Sequence, residues 1–358
     1  MAQMAHLPSE PGRSSHAARR RVTKRVARRR QAIAIAVVVG LSFGVATAWH
    51  AFSVPRGGAQ TLVRTKSPSG RAVAAVASFL PAPQALHPFQ SSPSPGEGQW
   101  HVAGRIVRGH PAIYETTIRL PDNASVVAGI AWMDTKLLRA RLYSGSVSPG
   151  GLFWKYTAPI SNAASETLVA AFNGGFLLKD SNGGYLSEGH LVAPLRAGAA
   201  SLVIYRNGFA TVGEWGRDVT MTPTVVAVRQ NLTLLVDHGQ PVPGLNPADV
   251  STWGYSLDKN ANAWRSGLGV TADGALVYAV GPMNIVDLAN VLVRAGAIRA
   301  MVLDMNPLWP VFATYAPSSP TGVASPANGT DLLPAMEQSP ARFFELAYAR
   351  DFVTMSSP

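Results

Sequence analysis

The chain has 358 residues, is 47% apolar and carries a formal charge of +11, so it is long and apolar enough to bury a substantial core and is no disordered tail. Most of that charge is local: residues 1–31 hold nine Arg or Lys against one acid, Glu10, which accounts for +8 and leaves +3 for everything else. A cationic block that ends where an apolar run begins is a topology signal, so no nucleic-acid partner is expected; the lack of any cysteine excludes disulfides, thiolate metal sites and a cysteine nucleophile.

Residues 1–31 read as a basic cytoplasmic tail and residues 32–52 as a transmembrane helix acting as a signal anchor. The run from Ala32 through Val37, Leu41, Phe43 and Val45 to Trp49 has no charged residue. About 18 to 20 helical residues cover the roughly 30 Å hydrocarbon core of a bilayer. The arginines that precede it place the N-terminus in the cytoplasm and the bulk of the chain outside the cell membrane, as a single-pass protein with the membrane itself as a partner. A cleaved signal peptide is the alternative, since Ala46-Thr47-Ala48 fits a small-residue cleavage pattern. The excess of Arg over Lys, with abundant Ala, Gly and Pro, points to a bacterial cell envelope.

Residues 53–98 are rich in Pro, Ser and Gly, as in Ser91-Ser-Pro-Ser-Pro-Gly96, and read as an extended stalk. From residue 99 to 358 one globular domain is expected. Strands are predicted at 102–107, 113–120, 126–132, 137–143, 168–172, 200–206, 224–228, 232–236, 267–271 and 275–280, with Asp273-Gly274 as a two-residue hairpin turn between the last two. The spacing of Ile285, Leu288, Ala289 and Leu292 predicts a helix over 285–295, capped by Asn284 and stopped by Gly296. The apolar run 300–303 then forms a buried strand that leaves Asp304 at its C-terminal end. The fold class is α+β, with an extensive mixed β-sheet and few helices.

Standard catalytic motifs are absent. Gly40-Leu-Ser42-Phe-Gly44 has a nucleophile-elbow pattern but lies in the expected membrane span. His101, His110, His190 and His238 lack ligand spacing, so no metal site is expected and no cofactor is assigned. Asp180-Ser-Asn182-Gly-Gly184 lacks the rest of a calcium loop and reads as a plain turn. Asn123, Asn231 and Asn328 stand in glycosylation sequons, which matter only on a eukaryotic secretory route.

Two segments carry a resemblance: Ala170-Ala-Phe172-Asn173-Gly174-Gly175-Phe176, and Arg265-Ser-Gly267-Leu-Gly269-Val270 running through Asp273-Gly274 and Leu288-Ala289 to Leu303-Asp304. In order and spacing they resemble the phosphodiester glycosidase domain, the family of the lysosomal uncovering enzyme that removes N-acetylglucosamine from a phosphodiester. The resemblance spans roughly residues 165 to 315. It departs after Leu303-Asp304, where the family carries a glycine-rich run ending in Ser and this chain reads Met305-Asn306-Pro307-Leu308-Trp309-Pro310. A glycine run lets backbone amides approach a phosphate or sugar, and Pro307 removes one donor.

A glycosyl phosphodiester carries one negative charge and breaks its anomeric bond through a cation-like state, so a site for it needs a cationic clamp and a carboxylate. Arg265 fits the clamp, or else is a structural Arg paired to Asp258 or Asp304. Asp304 fits the carboxylate, or else caps the turn that follows its strand. Asn173, Gly174 and Gly175 either present an amide and bare backbone to the substrate or make a tight turn. Glu188 is a candidate second carboxylate or a solvated loop residue. Asn306 and Trp309 of the departing run are substrate-binding candidates, and Trp264, Trp309 and Tyr315 either stack on a sugar or belong to the core. The resemblance implies a membrane-anchored hydrolase acting on cell-envelope or exopolysaccharide glycans, with a glycan or sugar-phosphodiester substrate. The alternatives are a non-catalytic glycan-binding or scaffold protein that kept the fold, and an envelope protein that uses the domain only for protein contacts.

Overall fold

A computed structural model describes residues 78–151, 154–254, 262–319, 321–346 and 348–358. The expected tail, membrane span and first part of the stalk lie outside the described residues. Among those described, no helix is long and apolar enough to cross a membrane.

In chain order the elements are β1 (His101–Val107), β2 (His110–Arg119), β3 (Val127–Met133), β4 (Arg139–Tyr143), α1 (Asn162–Ser165), β5 (Leu168–Asn173), β6 (Tyr185–Ser187), β7 (His190–Ala193), β8 (Ala200–Tyr205), β9 (Ala210–Glu214) and β10 (Val225–Gln230). They continue with β11 (Leu234–Asp237), β12 (Gln240–Pro241), α2 (Val250–Trp253), β13 (Trp264–Thr271), β14 (Leu276–Pro282), α3 (Ile285–Arg294), β15 (Ala297–Met305), β16 (Phe312–Tyr315), β17 (Gly329–Asp331) and β18 (Phe352–Ser356). Three sheets result. The largest has the order β1-β2-β3-β14-β13-β15-β11-β12; two smaller ones run β7-β6-β10-β8-β9 and β17-β16-β5-β18-β4. The chain is mostly β with few helices, as expected. The sheets are not mixed, however: every pair of named strands is antiparallel. Hairpins and long returns do the connecting, and α3 is the only α-helix longer than four residues among the described residues.

Helix α3 forms where its period requires. The Asn284 side-chain oxygen accepts from the amides of Val286 and Asp287 at 2.9 and 3.0 Å, and Gly296 takes φ +89° just past its end. Ile285, Leu288, Ala289, Val291 and Leu292 are buried against β13, β14 and β15, each large side chain contributing roughly 1.5 to 3 kcal/mol. The hairpin β13–β14 turns at Asp273-Gly274, but through three residues: Thr271 N donates to Ala275 O at 2.9 Å, and Gly274 sits at φ +93°. That is the three-residue hairpin with glycine in the left-handed position.

The large sheet carries a different core on each face. On one side α3 packs with Val277, Ala279, Val302 and Met305; on the other, Leu268, Tyr278, Val280 and Leu303 meet Phe172, Phe312 and Phe352 of the β5, β16 and β18 sheet. β18 lies between β5 and β4, which fixes where Arg350 and Asp351 enter the molecule.

The stalk was expected to run to Gly98, yet its second part is built into the domain. Leu80 is buried and its amide donates to Asp134 at 2.7 Å; Glu97 pairs with Arg119 at 2.9 Å; Trp100 donates to Gln84 O; Arg294 reaches His87 O at 2.6 Å and lies over the Phe89 ring. Prolines here stiffen a segment that docks by its few apolar and charged side chains, so the boundary at residue 99 falls inside the packed unit.

Candidate active site

The site begins with an irregularity in the central ladder. Arg265 pairs with Met305 and Gly267 with Val302, so β15 places one more residue than β13 in that interval. This is a β-bulge at Leu303-Asp304, which re-aims a side chain and leaves backbone groups without ladder partners. Side chains serve those groups: Asn231 Nδ2 donates to Val302 O and Leu303 O at 2.9 and 3.0 Å, and Asp304 N donates to Ser266 Oγ at 3.3 Å.

Asp304 is 3% exposed and opens on a cleft of about 700 Å³ whose walls include Phe176, Asp180, Thr252, Asn306, Trp309 and Arg350. One carboxylate oxygen accepts from Met305 N at 2.8 Å and the other from Arg350 Nη2. Burial pushes the Asp304 carboxyl up to about 7, against the pull of Arg350 and of the Met305 amide. The Arg350 guanidinium lies 4.7 Å from the Trp309 ring centre and its Nη2 also donates to Gly175 O, while its buried Nε has no partner. Trp309 is brought there by a turn in which Asn306, at φ +91°, accepts from Leu308 N with its side chain and from Trp309 N with its carbonyl. The departing run thus supplies an aromatic wall where a glycine run would supply amides.

Behind this wall lies a second ion pair. Arg229 Nε and Nη2 donate to Asp351 at 2.8 and 3.3 Å, and the side chains are 1% and 0% exposed. It explains the glycine pair: a Cβ on Gly174 would stand 2.1 Å from Asp351 Oδ2, and one on Gly175 2.8 Å from Arg229 Cζ.

The model of the phosphodiester glycosidase family matches residues 166–304. Over that stretch the chain is similar to the phosphodiester glycosidase domain. No curated protein matches. Among solved structures, the catalytic domain of zebrafish N-acetylglucosamine-1-phosphodiester α-N-acetylglucosaminidase, auto-inhibited by its pro-peptide, is similar at 14% identity, with 79% of this chain and 97% of that one covered and a TM-score of 0.42. A hypothetical protein from Synechocystis is similar at 11% identity over 70% of this chain and 63% of its own, TM-score 0.37. A putative exported protein from Burkholderia pseudomallei follows at 15% over 65% and 74%, TM-score 0.33.

The phosphodiester glycosidase match ends on Asp304, so Trp309 and Arg350 lie beyond it. Of the residues singled out in the sequence, the fold brings Asp304, Asn306 and Trp309 to one cleft. Arg265 is not with them. It sits on the α3 side of the sheet, donating to Trp253 O at 2.7 Å and touching Met305 Sδ at 3.7 Å, and burial draws its guanidinium down to about 10. Among the described residues no carboxylate pairs with it; Asp258 lies outside them, and Asp304 is taken by Arg350.

Asn173 is 2% exposed, and its amide is saturated by protein: Oδ1 accepts from Tyr278 Oη at 2.7 Å and Val311 N at 3.1 Å, while Nδ2 donates to Gly174 O and Ser266 Oγ. Asn173, Gly174 and Gly175 therefore form the floor under the site rather than a contact surface. Glu188 occupies the β6–β7 turn at φ +52° and accepts from the amides of Lys155 and Tyr156, in a different cleft. Trp264 and Tyr315 pack into the core. Asn231, one of the sequon residues, is fully buried at the bulge.

Arg350 was missed. No local pattern marks Phe352–Ser356 as a buried strand, so nothing in the sequence singles out the arginine at its entrance. Among the described residues no group of three or more His, Asp or Glu side chains is placed to hold a metal ion.

Proposed function

We propose that this protein is a membrane-anchored hydrolase of phosphodiester-linked sugars, its domain facing the outside of the cell membrane and acting on cell-envelope or exopolysaccharide glycans. One observation carries the reading: Asp304, the last residue of the family match, is a buried carboxyl held up to about 7 in a cleft whose other wall is a guanidinium stacked on an aromatic ring. With a proton on Asp304, the Arg350 charge is free for the phosphate. Trp309 packs on the sugar face. Water attacks the anomeric carbon, the carbon–oxygen bond breaks, and Asp304 gives its proton to the departing phosphate oxygen. Asp180, exposed at the rim, takes the proton of the attacking water. The products are a free sugar and a phosphomonoester.

The test is release of sugar from a chromogenic glycosyl phosphodiester. Asp304→Asn should lower turnover by roughly a hundredfold or more while a non-hydrolysable analogue still binds. Arg350→Met should weaken the analogue by roughly tenfold or more. Activity should fall as pH rises past 7, when Asp304 loses its proton. Because Pro307, Leu308 and Trp309 stand where the family has glycines, a glycan-binding protein without turnover is the second reading; binding by the parent with no release of sugar would establish it. Reporter fusions after residue 60 test the topology, and cytoplasmic reporter activity would refute it.

A further inference from the structure

A second cleft, of about 460 Å³, lies where the β4 edge meets the β8–β9 hairpin, and it shares no lining residue with the Asp304 cleft. Three arginines line it: Arg139 and Arg141 from β4, and Arg206 from the turn after β8. Each guanidinium is positioned by a neutral partner. Arg139 Nη1 donates to the carbonyl of Leu138 at 3.0 Å, Arg206 Nη2 to that of Pro223 at 3.0 Å, and Arg141 lies 4.1 Å from the centre of the Tyr156 ring. Among the described residues none of the three has a carboxylate within ion-pair distance.

Glu188 is the one carboxylate side chain on the wall, and it is already occupied. Its two oxygens accept from the amides of Lys155 and Tyr156, both at 2.9 Å, which fixes the Tyr156 ring under Arg141. Lys155 adds a further cation 5.3 Å from the centre of the same ring. Tyr205 supplies a second aromatic wall, and Thr354 and Ser356 of β18 add hydroxyls. Three arginines held in place, none of them in an ion pair and in excess over the Glu188 carboxylate and the chain end at Pro358 on the same wall, beside aromatic faces and hydroxyls, are the chemistry that recognises a carboxylated or phosphorylated sugar. The volume lies within the range of small-ligand sites.

We infer that this cleft is a binding subsite for an anionic saccharide unit, separate from the Asp304 cleft and independent of whether that cleft hydrolyses anything. A negatively charged glycan chain would be held here by Arg141 and Arg206, with a sugar face against Tyr156.

The experiment is calorimetric titration of the full chain in neutral detergent with trigalacturonate, maltotriose and inorganic phosphate as probes. Trigalacturonate should bind, more weakly as salt is raised, and roughly tenfold or more tighter than neutral maltotriose. Arg141→Met combined with Arg206→Met should weaken it by roughly tenfold or more with the melting temperature unchanged, whereas Trp309→Ala in the other cleft should leave it unaffected. If the double variant folds poorly, Arg141→Lys keeps the charge and loses the flat fork, and it should still weaken binding severalfold. No binding of trigalacturonate, equal binding of maltotriose, or loss of binding in Trp309→Ala alone would overturn the subsite. Phosphate binding as tightly as trigalacturonate would reduce it to a bare anion hole and overturn the saccharide assignment.

Discussion

Two neighbouring residues, Arg350 and Asp351, enter the molecule together and meet opposite fates. Asp351 is sealed: it faces Arg229 across a fully buried contact, and Gly174 and Gly175 are bare so that the pair fits. Arg350 faces Asp304 at the wall of an open cleft, with one buried nitrogen unpartnered and a tryptophan ring over its plane. A charge pair whose hydrogen bonds are all met by protein holds the fold together. A pair left incomplete beside a cleft, with its carboxyl pushed up to about 7, is poised for exchange with a ligand. The same ion-pair chemistry thus closes the core in one place and, under the proposed function, serves reactivity a residue away.

The contrast is broken most forcefully at its sealed member. Asp351→Asn leaves Arg229 buried without a counter-charge and should cost about 3 to 5 kcal/mol, read as a collapse of the melting temperature or loss of soluble protein. Next comes the packed end of the stalk. A chain cut to begin at Gln99 loses Leu80 and strips Arg119 of Glu97, and it should melt several degrees below one that begins at residue 78. Equal melting of the two would show that the segment is not part of the fold.

Asp304→Asn sharpens the comparison from the other side. Its partner can turn to the cleft, so the expected stability change is only about 1 kcal/mol, against a loss of turnover of roughly a hundredfold or more. Should Asp304→Asn melt as early as Asp351→Asn, the two pairs would be alike and the distinction would fall. A pH series refines this. Asp304 and Glu115 are raised by burial to about 7, and Asp331 to about 6. Between the ordinary carboxylate range and pH 7 the folded chain therefore holds more protons on these groups than the unfolded one, and their stabilising contribution is lost as pH rises through 7. The protein should melt higher at pH 5 than at pH 8, with part of that slope removed by Glu115→Gln. Glu97 and Asp218, lowered by their arginine and amide partners, act at and below the ordinary carboxylate range and so add little to the slope between pH 5 and 8. The smallest effect is expected at Trp309→Ala: the ring is half-buried, and a cation–π contact at such a site contributes about 0.5 to 1 kcal/mol.

Local signals in the sequence carried much of this. The helix over Ile285–Arg294, with Asn284 and Gly296 at its ends, was legible because period and caps are local, and so were β1 to β5 and β13 to β15 as alternating or apolar runs between turns. β18 was not, because a strand of Phe-Val-Thr-Met-Ser buried between two others has no alternation to mark it, and nothing local says that it inserts between β4 and β5. That omission hid Arg350. Arg265 was chosen because it lies in the family-like segment, but the bulge at Leu303-Asp304 turns Asp304 away from it, and a bulge leaves no mark in a single sequence. Asn173-Gly174-Gly175 looked like a ligand loop for a related reason: the sequence shows that something presses close on the glycines, not that the something is the buried pair Arg229–Asp351.

The place of β18 bears on when the protein becomes competent. Strands β4 and β5 are made early, yet they are hydrogen-bonded not to each other but to β18, which is translated after every other strand described here. Until it arrives the third sheet stays split, the glycine floor lacks Asp351, and Asp304 has no cation beside it. An emerging chain therefore gains its charged cleft and its central hydrogen bonds in one late event, so a nascent or prematurely terminated chain lacks that cleft and exposes open strand edges to quality control.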